Sequence, residues 1–389
     1  MSVTAPQGFR AAGIAAGLKS SGALDVALVV NDGPAPAAAA VFTANRVKAA
    51  PVLWTEQVMR DGAVRAVVLN SGGANACTGP LGYQDTRATA KQVAEALSAG
   101  PGPSLDAGGV AVCSTGLIGV RLPMEKLLPG VRAVVQQLSD DGGAAAAQAI
   151  MTTDTRSKAT VTAGAGWTVG GMAKGAGMLA PALATMLCVI TTDAVADAAT
   201  LDQALRDACR VTFDRVDSDG CMSTNDTVIL LASGASGITP TRAELTSAVT
   251  AAAHDLAQQL IADAEGATKQ VAIEVVGAAS ETEAVEVGRT VARNNLVKTA
   301  LFGNDPNWGR ILAAVGTTTA AFDPDEVDVA VNGVWVCRSG AAAEDRSKVD
   351  LSGREVTVRI HLHAGAAAAT IWTNDLSHAY VHENSAYST

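Results

Sequence analysis

Gly171-Met172-Ala173-Lys174-Gly175-Ala176-Gly177-Met178-Leu179-Ala180-Pro181-Ala182-Leu183-Ala184-Thr185-Met186-Leu187 places one lysine, three glycines and a proline ahead of a threonine, and that threonine opens the apolar run Met186-Leu187-Cys188-Val189-Ile190. The run has the length and composition of a buried strand. The segment before it is poor in side chains, which lets backbone come close to whatever lies opposite. Strand-like runs recur at 24–30, 64–69, 110–113, 186–191, 228–231, 271–276 and 327–336, with helical patterns at 86–97, 201–212 and 283–296. That alternation predicts an α/β or α+β architecture. Val271, Ile273 and Val275 alternate with Ala272, Glu274 and Val276, and Val356, Val358 and Ile360 alternate with Thr357 and Arg359. Half-buried sheet explains both. The clearest helix starts at the capping box Thr241-Arg242-Ala243-Glu244, carries the stripe Leu245, Val249, Leu256 and Leu260, and ends near 263–266. Residues 139–147 read as a small-residue linker, and no internal repeat is visible.

At 389 residues the chain can bury two lobes or one large layered core. Hydrophobic residues make up 48% of it but aromatics only 3%, so Ala, Val, Leu and Gly must fill that core in closely packed layers. The net charge of -10, without a basic run, excludes the electrostatic footprint of a nucleic-acid binder. The first residues carry no signal-peptide pattern and no apolar run approaches eighteen residues, so a soluble cytoplasmic protein without a membrane partner is expected. Cys77, Cys113, Cys188, Cys209, Cys221 and Cys337 form no C-x-x-C pair and are expected to be buried, inert thiols; no metal site is expected. The five histidines all follow Thr185 without zinc spacing, and neither a G-x-S-x-G elbow nor a phosphate-binding G-x-x-x-x-G-K-[ST] loop occurs.

The stretch before Thr185 suits an activated hydroxyl. If Thr185 attacks the Ala184 carbonyl, the peptide becomes an ester, water releases it, and Thr185 gains a free α-amine. That amine, with a reference pKa of about 7.7 to 8.0, can serve as the base beside its own hydroxyl. The same residues also suit an ordinary Gly-Pro loop feeding a strand, which composition alone favours. Cys113-Ser114-Thr115-Gly116 ends another strand, where a hydroxyl and a backbone N–H can face a developing oxyanion or simply close an ST-turn. Met151-Thr152-Thr153-Asp154 reads equally as site or helix cap. Lys174 has few carboxylate neighbours in sequence and needs a substrate carboxylate or a distant partner. Glu265, in Asp263-Ala264-Glu265-Gly266, can bind an amine or sit solvated at a helix end. Residues 305–310 read as a tight loop in which Trp308 is a packing anchor.

Taken together, Val3-Thr4-Ala5-Pro6-Gln7-Gly8-Phe9-Arg10, Asn70-Ser71-Gly72-Gly73-Ala74-Asn75-Ala76-Cys77-Thr78-Gly79, Cys113-Ser114-Thr115-Gly116-Leu117-Ile118-Gly119, Met151-Thr152-Thr153-Asp154, 173–187, Ser223-Thr224-Asn225-Asp226-Thr227, Asp263-Ala264-Glu265-Gly266, 298–310 and 375–387 resemble the ornithine acetyltransferase family over essentially the whole chain. The resemblance implies a layered αββα sandwich like that of N-terminal-nucleophile hydrolases, with a different chain order. It implies cleavage between Ala184 and Thr185 into an α chain (1–184) and a β chain (185–389) that stay together as α2β2. Thr185 is then the nucleophile, Thr115 and Gly116 the oxyanion donors, and Thr152, Lys174, Thr185, Glu265, Asn384 and Thr389 the substrate-binding residues. The implied reaction is ping-pong transfer of acetyl from N-acetylornithine to glutamate in arginine biosynthesis, with no cofactor. No motif decides whether acetyl-CoA is a further donor. Pro181-Ala182-Leu183-Ala184 departs from the many relatives that have Asn and Met after the proline, but it keeps the scissile Ala-Thr pair. The rival readings are an amidase or aminopeptidase with the same kind of nucleophile, an acetyltransferase of specialised metabolism, and a non-enzymatic amino-acid-binding module.

Overall fold

The apolar run after Thr185 forms the strand Leu187–Thr192, buried at every position because its two faces serve two different cores. Leu187 and Val189 pack in one core, Cys188 and Ile190 in the other. The strand Thr227–Ala232 divides in the same way, Ile229 and Leu231 against Val228 and Leu230. Side chains of alternate residues leave a strand on opposite faces, so a continuous apolar run is what a sheet covered on both sides requires. The computed structural model describes residues 2–100, 104–180 and 186–386. The Ala184–Thr185 pair and Thr389 lie outside the described residues.

Two sheets face each other across the first core. One has the order Phe9–Ile14, Val26–Asn31, Ala66–Asn70, Val110–Ser114. The other has the order Ala37–Phe42, Thr227–Ala232, Leu187–Thr192, Thr168–Lys174, Lys158–Ala163. Helices Ala50–Val58, Gly79–Ser98 and Met124–Gln136 cover the first sheet, and Ala198–Val211 and Arg242–Ala262 cover the second. The layers therefore run αββα. A third sheet, Ala341–Ala342, Val334–Arg338, Asp328–Val331, Glu355–His361, Gln270–Ala278, Ala367–Asn374, carries its own core under helices Glu281–Ala292 and Trp308–Val315.

Several sequence expectations need correction. The single run 327–336 is a hairpin, because Asn332 and Gly333 take φ of +46° and +84° and make the two-residue turn that Asn-Gly favours. Helix 283–296 is two helices, Glu281–Ala292 and Asn295–Phe302, since the Asn294 side chain accepts the N–H groups of Leu296 and Val297 and restarts the winding. The supposed linker 139–147 holds the helix Gly143–Ala149, whose alanines pack into the first core. The supposed loop 305–310 contains the start of helix Trp308–Val315, capped by Asn307, and Trp308 packs against the third core. The first four residues of the side-chain-poor segment before Thr185, Gly171 to Lys174, belong to the strand Thr168–Lys174. Cys113, Cys188, Cys209 and Cys337 are buried, but Cys77 and Cys221 are exposed. Cys77 stands in a left-handed turn (φ +56°) just before helix Gly79–Ser98. No helix among the described residues is long and apolar enough to cross a membrane.

Candidate active site

Strand Thr168–Lys174 runs antiparallel to Leu187–Thr192, with Lys174 opposite Leu187. Lys174 and Leu187 therefore stand at the same end of two neighbouring inner strands, and Ala180 and Met186, on either side of residues 181–185, are both buried. A cleft opens at that end of the strands. Its lining includes Thr115, Gly116, Thr152, Lys174, Glu265 and Asn384, residues that the chain spreads over 270 positions of sequence, together with the loop Ser223 to Asn225.

Thr115 follows the last residue of strand Val110–Ser114, and its backbone N–H donates to the Asn70 carbonyl at 2.9 Å. That donor is used up, so the group left to act is the hydroxyl. Lys174 Nζ donates to Thr115 Oγ1 at 3.3 Å. With one lone pair occupied by an ammonium, the hydroxyl is free to donate its own proton. The next donor along the chain, the Gly116 N–H, has no acceptor among the described residues. Gly116 takes φ +122°, and a Cβ there would lie 3.0 Å from the Gly73 nitrogen, so a side chain would be both strained and crowded. A hydroxyl and an adjacent unpaired N–H make the donor pair an oxyanion needs.

Behind this pair lies a buried ionic cluster. Asp154 accepts from Lys158 Nζ at 2.6 Å, the Gly175 N–H at 2.7 Å and the Thr152 N–H at 3.0 Å. Lys158, wholly buried, also donates to Asp263 at 2.6 Å. Burial pushes the Asp154 carboxyl up, but Lys174, Lys158 and the Gly175 N–H together outweigh it and hold the group at about 2. Asp154 thus fastens the backbone at Thr152 and beside Lys174. Burial pushes the Lys174 ammonium below its ordinary value, against the pull of Asp154, Asp226 and Glu265, while Lys158 adds to the depression. The distant partners that Lys174 lacked in sequence are supplied by the fold.

Glu265 sits past the end of helix Arg242–Ala262, its N–H donating to the Ala176 carbonyl at 3.0 Å. A Cβ on Gly177 would lie 2.6 Å from both Glu265 carboxylate oxygens, so a side chain there would push the acid aside. Asn384, on the C-terminal helix His378–Ala386, donates from Nδ2 to Glu265 at 3.0 Å. That helix is seated by Ser377, whose Oγ donates to the Gly266 carbonyl at 2.5 Å and accepts the Tyr380 N–H at 3.0 Å. The functional expectations did not single out Lys158 or Asn225. Asn225 donates to the Ser114 carbonyl at 2.7 Å and steadies the turn that carries Thr115. Asp154, four residues before Lys158, supplies one counter-charge from the local sequence, but the second, Asp263, comes from 105 residues away and completes the pairing that makes a wholly buried lysine tolerable. No group of three His, Cys, Asp or Glu among the described residues is placed to hold a metal ion.

The same blocks that converge here run through a known family, whose model, the ArgJ family, matches residues 10–389. The chain belongs to the ArgJ family. It is 66% identical over 388 residues to the arginine biosynthesis bifunctional protein ArgJ of Streptomyces avermitilis, covering 100% of each chain. It is 64% identical over 389 residues to that of Thermobifida fusca, again covering 100% of each. A solved ArgJ chain from Bacillus halodurans, described as the arginine biosynthesis bifunctional protein, superposes with a TM-score of 0.50 at 34% identity, covering 51% of this chain and 98% of that one. The resemblance read from the sequence blocks holds, and this ArgJ-family chain is an enzyme of arginine biosynthesis.

Proposed function

We propose that this protein cuts itself between Ala184 and Thr185 and then transfers acetyl from N-acetylornithine to glutamate through Thr185. The observation that carries the reading is the meeting of Thr115, Gly116, Lys174 and Glu265 in one cleft at the strand end where Lys174 stands opposite Leu187, two residues after Thr185 in sequence. In the first step Thr185 Oγ bonds to the Ala184 carbonyl carbon, the C–N bond breaks with the proton passing to nitrogen, and water hydrolyses the ester. The freed α-amine then takes the proton of the same hydroxyl as it attacks the acetyl carbonyl. The oxyanion is held by the Thr115 hydroxyl and the Gly116 N–H. Ornithine leaves as the amine, and the amine of glutamate attacks the acetyl ester to give N-acetylglutamate and restore Thr185. Glu265 meets the cationic end of the donor, and Lys174 a carboxylate, with Thr152, Asn384 and Thr389 completing the pocket.

Self-cleavage is also supported by length: the solved Bacillus halodurans chain spans about half of this one while being matched almost completely, as a product of cutting near residue 185 would be. The products, 1–184 and 185–389, then assemble as α2β2. The bifunctional character named for the Streptomyces avermitilis relative supports acetyl-CoA as a second donor, entering as co-substrate. Intact mass and N-terminal sequencing should find a fragment beginning Thr-Met-Leu-Cys. Thr185→Ala should remain one chain and make no N-acetylglutamate. Turnover of that variant at the parent's rate would end the proposal, and acetyl release to water without N-acetylglutamate would favour an amidase. Lys174→Ala should weaken saturation by glutamate; unchanged saturation removes Lys174 from substrate binding.

A further inference from the structure

The first main-chain donor after residue 185 is the Met186 N–H, and a side chain meets it: Asp226 Oδ1 accepts at 3.0 Å. The Met186 carbonyl in turn accepts the Thr227 N–H at 3.2 Å. Two consecutive residues therefore grip both polar groups of Met186, just before the parallel ladder between Leu187–Thr192 and Thr227–Ala232 begins. The grip is itself anchored. The Asp226 carbonyl accepts the Thr43 N–H at 3.0 Å, and the Thr43 hydroxyl donates to the Ser223 carbonyl at 2.7 Å.

Asp226 is wholly buried, and its second oxygen, Oδ2, has no partner among the described residues. A carboxyl held wholly in the interior is costly, and such cost gathers where function needs it. Burial pushes this acid well above the usual carboxylate range, with the Met186 N–H, Lys174 and the nearby Ser223 hydroxyl pulling the other way. None of the roles drawn from the family resemblance uses it.

We propose that Asp226 is a positioning residue for the nucleophile: by holding the Met186 N–H from the side, it fixes the residue that directly follows Thr185 in the chain. The inference rests on the proposed function. Misplacing a reacting group by about 1 Å can cost about 100-fold in rate. Asp226→Ala should therefore lose about 100-fold in kcat for N-acetylglutamate formation while the KM for N-acetylornithine changes little. Asp226→Asn, which keeps an acceptor oxygen for the Met186 N–H, should restore most of that rate.

An alanine variant that stays uncut by intact mass, beside an asparagine variant that is cut, supports the same role at the earlier step. The role is overturned if the alanine variant keeps the parent's kcat, or if asparagine is as slow or as uncut as alanine. Should the alanine variant fail to fold, Asp226→Ser, too short to reach the Met186 N–H, takes its place with the same expected loss. A parent that makes no N-acetylglutamate sinks both readings, whereas an active parent with an equally fast Asp226→Ala sinks only this one.

Discussion

The Thr115 hydroxyl accepts from Lys174 and keeps its proton for the cleft, while its own backbone N–H is committed to Asn70. Replacement by valine keeps the shape and removes only the donor. Thr115→Val is expected to lower kcat by about 100- to 1,000-fold, the effect of losing one pre-aimed oxyanion donor. KM should hardly move, because the interaction belongs to the transition state. Steady-state kinetics on folded variant protein check this, and an equal loss in KM would make Thr115 a ground-state contact instead. At this scale the residue types at the site were legible, since Thr115, Gly116, Lys174 and Glu265 stand in recognisable blocks. Their partners were not. Asp154 stands only four residues before Lys158, but nothing in that segment announces Asp263, which closes the buried cluster from the far end of helix Arg242–Ala262.

Among the elements, helix Arg242–Ala262 links the surface to the site. Its N-terminus is closed by the capping box read from sequence: the Thr241 N–H donates to Glu244 at 2.8 Å, and the Glu244 N–H donates to Thr241 Oγ1 at 3.3 Å. Its other end delivers Asp263 and Glu265 to the ionic cluster and the cleft. At 1.5 Å of rise per residue the two ends are roughly 30 Å apart. Thr241→Ala should therefore cost about 1 kcal/mol of stability, read by urea unfolding, and leave kcat/KM untouched. A drop in activity would mean that the helix end is set by the cap and not by its packing. Periodicity and caps made this helix readable in advance. The strands Phe9–Ile14, Ala37–Phe42, Lys158–Ala163 and Thr168–Lys174 escaped notice because alanine, glycine and threonine fill them. Such residues give little apolar contrast, and only pairing with neighbours makes them strands.

For the whole molecule, the Asp154–Lys158–Asp263 cluster joins the segment before the edge strand Lys158–Ala163 to the end of the covering helix, directly behind the cleft. The Asp154 carboxyl is held at about 2, below its ordinary 3.8. Between those values the unfolded chain binds the proton more readily, so stability rises with pH across that window. The contribution is fully present above 3.8 and is lost as pH falls through 2. Asp154→Asn should flatten this part of the pH–stability curve. It should also cost about 3 to 5 kcal/mol near neutral pH, because Lys158 is left buried with half its counter-charge. Urea titrations from acid to neutral pH check both, and an unchanged acid limb would show that other carboxylates control unfolding there.

What the sequence determined by itself was the class of architecture, the best-capped helix, the family and most of the residue types at the cleft. These are written in local patterns: runs, caps and ordered blocks whose meaning does not depend on what lies opposite. Only the tertiary structure decided that a third sheet stands beside the αββα sandwich, that the Thr115 hydroxyl and not its N–H is the available donor, and that Asp226 holds Met186. Each of these depends on which buried polar group finds which partner across the fold, and in a core of small residues the chain carries no local mark of that pairing until its layers have closed.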